Sequence, residues 1–117
     1  MKKILVAVIA VLGLTLAGCA SAQDTSPTNS DITQVIDVRT SAEYAAGHVS
    51  GSLNIDVETS TFTSDIQSLD KSGVYLVYCH SGRRSALAAS AMTDAGFTVL
   101  DGGGIDAMLA NGWELGQ

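Results

Sequence analysis

Cys79 ends an apolar run and is followed, after His80 and Ser81, by a glycine and two arginines, in "VYLVYCHSGRRSAL" (residues 74–87). The thiolate, not the thiol, is the nucleophile, and a thiol's pKa falls beside arginines and at a helix N-terminus. Gly82 gives the chain access to backbone angles that other residues resist. The backbone N–H groups of His80, Ser81, Gly82, Arg83, Arg84 and Ser85 would then turn toward the sulfur, as strand-to-helix loops do around phosphates. Arg83 and Arg84 add charge that attracts an anion. These residues describe an activated cysteine in an anion-holding cradle, facing an anionic substrate. A single cysteine at a strand end is more often a small buried hydrophobe. What argues against that reading here is the loop, on which two of the chain's few cations are spent.

The charge balance makes the concentration plain. The 117 residues hold six Lys and Arg against twelve Asp and Glu, a formal charge of −6. Without Lys2 and Lys3 the balance becomes −8, and only Arg39, Lys71, Arg83 and Arg84 remain as cations. Such acidity argues against nucleic acid, whose binding rests on neutralising phosphates, and against a polybasic membrane contact.

The start of the chain reads as a targeting segment. "MKK" precedes the apolar run "ILVAVIAVLGLTL", short for a bilayer span, and then "AGC". "LAGC" (residues 16–19) resembles the lipobox of bacterial lipoproteins, which implies a cut before Cys19 and a lipid on its sulfur. An ordinary secretory signal cut after residue 22 is the alternative. The expected division is a lipoprotein signal over residues 1–18, a lipidated cysteine and flexible tether over 19–30, and one domain over 31–117. The protein is then exported and membrane-anchored through Cys19. With Cys19 lipidated, Cys79 is the only free thiol and no disulfide framework is possible; without the lipid, a Cys19–Cys79 bridge is the alternative. A monomer is expected.

The cradle needs a scaffold, and the rest of the chain supplies its pattern. Residues 33–38, 52–57, 73–79 and 97–100 read as strands, and 73–79 is apolar on both faces, as in a covered parallel sheet. Residues 40–47, 62–69, 83–96 and 105–112 read as short helices. Thr40 and Glu43 have capping-box spacing, and Gly47 and Gly96 supply stops. Leu87, Ala88, Ala91 and Met92 are available to one face of the third helix. Strands alternating with helices across short loops define an α/β domain with a small, mostly parallel sheet of four or five strands. Ligands in such sheets bind beyond the carboxyl ends of the strands, where Cys79 lies.

Three stretches then resemble one family. "CHSGRRS" (residues 79–85) looks like the active-site loop of rhodanese-like sulfurtransferases. "VIDVRTSAEYAAGHVSGSLNI" (residues 35–55) is similar to that family's Asp-Val-Arg strand, Gly-His and Asn-Ile signature. "AGFTVLDGGGIDAMLANGW" (residues 95–113) resembles its closing strand, Gly-Gly turn and helix. The resemblance, closest to single-domain exported forms, implies that Cys79 takes a sulfane sulfur from a donor such as thiosulfate and carries it as a persulfide. A thiophilic acceptor, cyanide or a thiol, then receives it. Residues 80–85 would bind the donor, with Arg83 or Arg84 holding its anionic part, and no cofactor or metal is implied. Asp37 and Arg39 match the family's Asp-x-Arg, which supports the active-site loop by polar contacts, with an ordinary structural ion pair as the alternative, and His48 matches a chiefly structural histidine. The extra strand and helix that usually precede the Asp-Val-Arg strand are nearly absent, and Met108 stands where the family often has tryptophan.

Other readings compete. Cysteine phosphatases and arsenate reductases need an arginine six positions beyond the nucleophile; that position is Ser85, so the loop is one residue short. A membrane-tethered relay or binding module without efficient turnover is the non-catalytic alternative. "GGGIDA" (residues 102–107) matches a dinucleotide fingerprint but has no room for the second strand, and reads as a turn. Two histidines and one free cysteine lack the spacing of a structural zinc site. Trp113 reads as a core or rim anchor.

Overall fold

The computed structural model describes residues 28–116; the signal, the lipobox and most of the tether lie outside the described residues. Four parallel strands form the sheet in the order β3 (Leu53–Asn54), β1 (Gln34–Asp37), β4 (Val74–Cys79), β5 (Thr98–Gly104). β1 pairs β4 from Gln34↔Tyr75 to Asp37↔Tyr78. Side chains of period two send Val35, Leu76 and Tyr78 to one face and Ile36, Tyr75, Val77 and Cys79 to the other. On the Cys79 face lie Phe62 and Ile66 of α2 (Phe62–Ile66) and Ala88 and Met92 of α3 (Arg83–Asp94). On the Tyr78 face lie Val49 of β2 (His48–Val49) and Met108 of α4 (Ile105–Ala110), with Trp113 packed against them. Both faces are covered, as the apolar β4 requires.

Several expectations are corrected. The stripe that α3 buries is Ser85, Ala88 and Met92, while Leu87 is 57% exposed. The helix begins at Arg83, and positions 85, 88 and 92 fall on one face at helical spacing. The second strand shrinks to two residues. The glycines expected to form a turn instead extend β5: Val77 pairs with Asp101 but Cys79 with Gly104, so β5 spends one extra residue in a bulge beside the cysteine. β2 pairs antiparallel with β6 (Leu115–Gly116), a two-residue contact too short to show a period in sequence. Residues 29–31, at the expected end of the tether, form a 3-10 turn, with Thr28 and Asp31 satisfying one another's backbone.

The helix ends follow their chemistry. Thr40 accepts the Glu43 N–H at 3.2 Å at the start of α1 (Ser41–Ala46). α3 closes with Gly96 N–H bonded to Thr93 O and Phe97 N–H to Met92 O, while Met92 and Phe97 pack in the same core. This is a Schellman ending. Among the described residues no helix is long and apolar enough to cross a membrane.

Candidate active site

β4 delivers Cys79 to the carboxyl edge of the sheet, and the next residues fold over it. Gly82 takes φ +102° and ψ −12° ahead of α3, a left-handed conformation that favours glycine. That turn points the Gly82 N–H at the sulfur, 2.9 Å away. Behind the loop stands the bulged end of β5. A Cβ on Gly104 would lie 2.5 Å from the carbonyl oxygen of His80, so only glycine lets the two backbones meet there. Ser81 bridges Gly104, and Ile105 N–H donates to His80 O at 3.3 Å. Gly103 and Gly104 are therefore the back wall of the cradle, while Gly102 lies against Met108 and Leu76.

Cys79 is fully buried. Burial alone works to raise its pKa, because it penalises the thiolate. The backbone N–H and hydroxyl of Ser85, with the N–H groups of Gly82 and Ser81, outweigh burial and hold the thiol below its ordinary value. Ser85 is itself fully buried, and its hydroxyl lies 3.0 Å from Gly82 O and 3.3 Å from Gly103 O, two acceptors for one proton.

The two arginines part company. Arg84 Nη1 and Nη2 meet Glu43 Oε1 and Oε2 at 2.7 and 2.9 Å. That contact, first of all, draws the Glu43 carboxyl down to about 2 and raises Arg84. Arg83 and His80 are exposed. Glu43 was legible only as a helix cap; its guanidinium partner lies 41 residues away, a separation that no local spacing reveals.

Asp37 and Arg39 form an ion pair, the alternative reading, and make no hydrogen bond to residues 80–85. Their contacts go to a hub on the other face. Arg39 Nη2 meets Asp37 Oδ2 at 2.6 Å and Gly47 O at 2.7 Å. The Tyr78 hydroxyl donates to Asp37 Oδ2 at 2.7 Å and accepts the Val49 N–H at 2.9 Å. Asn54 donates to the carbonyls of Asp37 and Arg39. Burial, first among its causes, holds the Tyr78 phenol above its ordinary pKa and so in its donating form. The pair reaches the cysteine only through the chain, because Tyr78 precedes Cys79. His48 stacks on Tyr44 with ring centroids 3.7 Å apart and Nδ1 2.8 Å from Tyr44 O, which packs it against α1. No group of three His, Cys, Asp or Glu that could hold a metal occurs among the described residues.

The parallel sheet that carries the buried Cys79 at its edge is shared with known proteins. The chain belongs to the rhodanese-like family, whose domain model matches residues 21–107. It is 32% identical over 69 residues to thiosulfate sulfurtransferase PspE of Escherichia coli strain K12, covering 59% of this chain and 66% of that protein. It is 37% identical over 73 residues to thiosulfate sulfurtransferase GlpE of Pseudomonas paraeruginosa, covering 60% and 64%. The chain thus spans just under two thirds of the length of these curated relatives. The crystal structure of a rhodanese-related protein from Thermoplasma volcanium superposes with a TM-score of 0.62 at 30% identity, covering 71% of this chain and 82% of that one.

Proposed function

We propose that this protein transfers sulfane sulfur through a persulfide on Cys79, from a small anionic donor such as thiosulfate to cyanide or a thiol. The observation that carries the reading is a buried sulfur met by the Gly82 N–H at 2.9 Å, in a loop where Ser85 and Ser81 also act to lower the thiol's pKa. The Cys79 thiolate attacks the outer sulfur of thiosulfate. A bond from Sγ to that sulfur forms, the donor's S–S bond breaks, and its electron pair leaves with sulfite. The persulfide carries one negative charge, which hydrogen-bond donors fixed before the reaction stabilise without reorganising. Cyanide then takes the outer sulfur as thiocyanate and returns the thiolate. Full burial of Cys79 favours small donors and acceptors over bulky ones.

The test uses the full chain carrying Cys19→Ser, so that Cys79 is the only thiol. Incubated with thiosulfate and weighed intact without reductant, it gains one sulfur atom, loses it to cyanide, and gains none when Cys79→Ser is added. No gain with the thiol demonstrably free overturns thiosulfate transfer. An anchor at Cys19 belongs to the same proposal and is supported by "LAGC" behind a basic start and an apolar run. Expressed in a bacterial host, the natural chain goes to the membrane fraction and the Cys19→Ser chain loses its lipid mass. An unlipidated natural chain defeats the anchor.

A further inference from the structure

The residues after the cysteine include two arginines that sequence alone treats as equivalent. In the structure Arg84 is held by both oxygens of Glu43, and its side chain is only 17% exposed. Arg83 is exposed, and among the described residues its guanidinium makes no hydrogen bond or ion pair. A cation beside its counter-ion projects little net field onto a third charge, whereas an unpaired one projects all of its own. Arg84 is therefore poorly placed to recruit an anion, although it belongs to the first turn of the helix that forms the cradle.

Glu43 in turn sits on well-anchored ground. It belongs to the first turn of α1, whose N-cap Thr40 accepts its N–H. The residue that ends α1, Gly47, gives its carbonyl to Arg39 of the buried hub, and His48 stacks back on Tyr44. The Glu43–Arg84 contact thus ties the start of α3, and with it the Ser85 N–H and hydroxyl facing the sulfur, to the hub by way of α1.

We infer that the two arginines divide the work: Arg84, with Glu43, is a strut that fixes the cradle, and Arg83 is the cation that selects a doubly charged donor. The inference rests on the sulfur-transfer reading for its donor half, while the strut is a property of the thiol's surroundings and is measurable without any transfer. Glu43 stays ionised at neutral pH, its carboxyl held down to about 2 chiefly by Arg84, so the strut is fully charged under working conditions. Glu58 adds a weaker attraction on Arg84, and the Cys79 thiolate adds another.

Four variants of the full chain carrying Cys19→Ser decide it: Arg83→Gln, Arg84→Gln, Glu43→Gln and Arg84→Lys. The first readout is the ionisation of Cys79, followed by ultraviolet thiolate absorbance against pH with Cys79→Ser as blank. A purely electrostatic influence predicts opposite signs, since removing Arg84 raises the thiol's pKa and removing the Glu43 charge lowers it. A strut predicts the same sign: both substitutions let the N–H groups drift from the sulfur, and both raise the pKa, by roughly half a unit or more. Arg84→Lys, which keeps the charge on one prong, recovers part of the shift. A fall in the thiol pKa of Glu43→Gln overturns the strut.

The second readout compares donors of different charge, dianionic thiosulfate and monoanionic methanethiosulfonate. Arg83→Gln lowers kcat/KM by roughly four- to tenfold for the dianion, mostly through KM, and by about two- to threefold for the monoanion. Arg84→Gln lowers both donors alike, through kcat. An unchanged donor ratio in Arg83→Gln, or a ratio that falls as far in Arg84→Gln, overturns the division. If the chain with both arginines intact takes sulfur from neither donor, the sulfur-transfer reading and the donor role of Arg83 fall together, and the titration still decides the strut.

Discussion

Tyr78 and Cys79 are neighbours on one strand, and the pleat sends them into opposite worlds. Tyr78 ends in a closed hub, where its hydroxyl, the Asp37 carboxylate, the Arg39 guanidinium and the Gly47 carbonyl satisfy one another and Asn54 donates to the carbonyls of Asp37 and Arg39. Cys79 ends beneath a loop whose Gly82 N–H points at the sulfur from 2.9 Å. Each region contains an arginine–carboxylate pair. That of the hub has side chains 6% and 0% exposed, and that of the cradle 17% and 34%. The same chemistry serves as scaffold where water is excluded and as adjustable bracing where water reaches it. Desolvation sets the difference, because a buried pair deprived of one partner strands a charge, whereas a half-exposed one releases its survivor to solvent.

The comparison breaks most visibly at Asp37. Asp37→Ala leaves the Arg39 guanidinium in a buried site without its carboxylate and takes an acceptor from Tyr78, and urea unfolding is expected to show a loss of about 3–5 kcal/mol. A loss below about 1 kcal/mol would mean that the hub repacks freely and is no scaffold. On the cradle side Gly82→Ala is the sharper probe. A Cβ there meets only ordinary contacts, the nearest at 3.6 Å from Gly103, so the cost comes from φ +102°. It is expected at about 1–2 kcal/mol. Because relief of that strain turns the Gly82 N–H away from the sulfur, sulfur transfer should fall far more than stability. Equal losses would deny the N–H its role.

The hub was legible as a motif and the cradle as chemistry, but the wiring of each came from the third dimension. The Asp-Val-Arg stretch showed which residues matter, yet its contacts run to Gly47, Asn54 and Tyr78 rather than to the cysteine loop. Nothing in a list of residues says which face of β4 a distant pair will meet until the pleat is fixed by Tyr78 and Cys79. The cysteine loop, the four strands and the four helices were readable from alternation and stop signals. The glycines of β5 were not, because Gly-Gly-Gly suits a turn and a bulge equally well, and only the close approach of the His80 carbonyl to Gly104 decides between them. Leu87 misled for a simpler reason. Hydrophobicity marked it for the core, but the helix starts where Arg83 puts it, and the sheet side falls to Ser85, Ala88 and Met92.

The smallest expected effect separates the two pairs by pH. Glu43 titrates in the folded chain at about 2, below the ordinary value of 4.5, because of Arg84 first and Thr40 after it, with burial opposing. A carboxyl whose folded pKa is depressed contributes stability that is whole above its unfolded pKa and fades as pH falls through the folded one. The stability difference between the natural chain and Arg84→Gln is therefore flat well above pH 4.5, shrinks below it and is mostly gone as pH falls through about 2. Its size stays under about 1 kcal/mol, since solvent screens a pair this exposed. Added salt should reduce it further, while the loss caused by Asp37→Ala at neutral pH should hardly respond to salt, because ions screen surface charges and not buried ones. Urea midpoints measured across pH 2 to 7 in low and high salt check both halves. If salt moved the two losses equally, burial would not be what distinguishes hub from cradle, and the division of labour between them would need another cause.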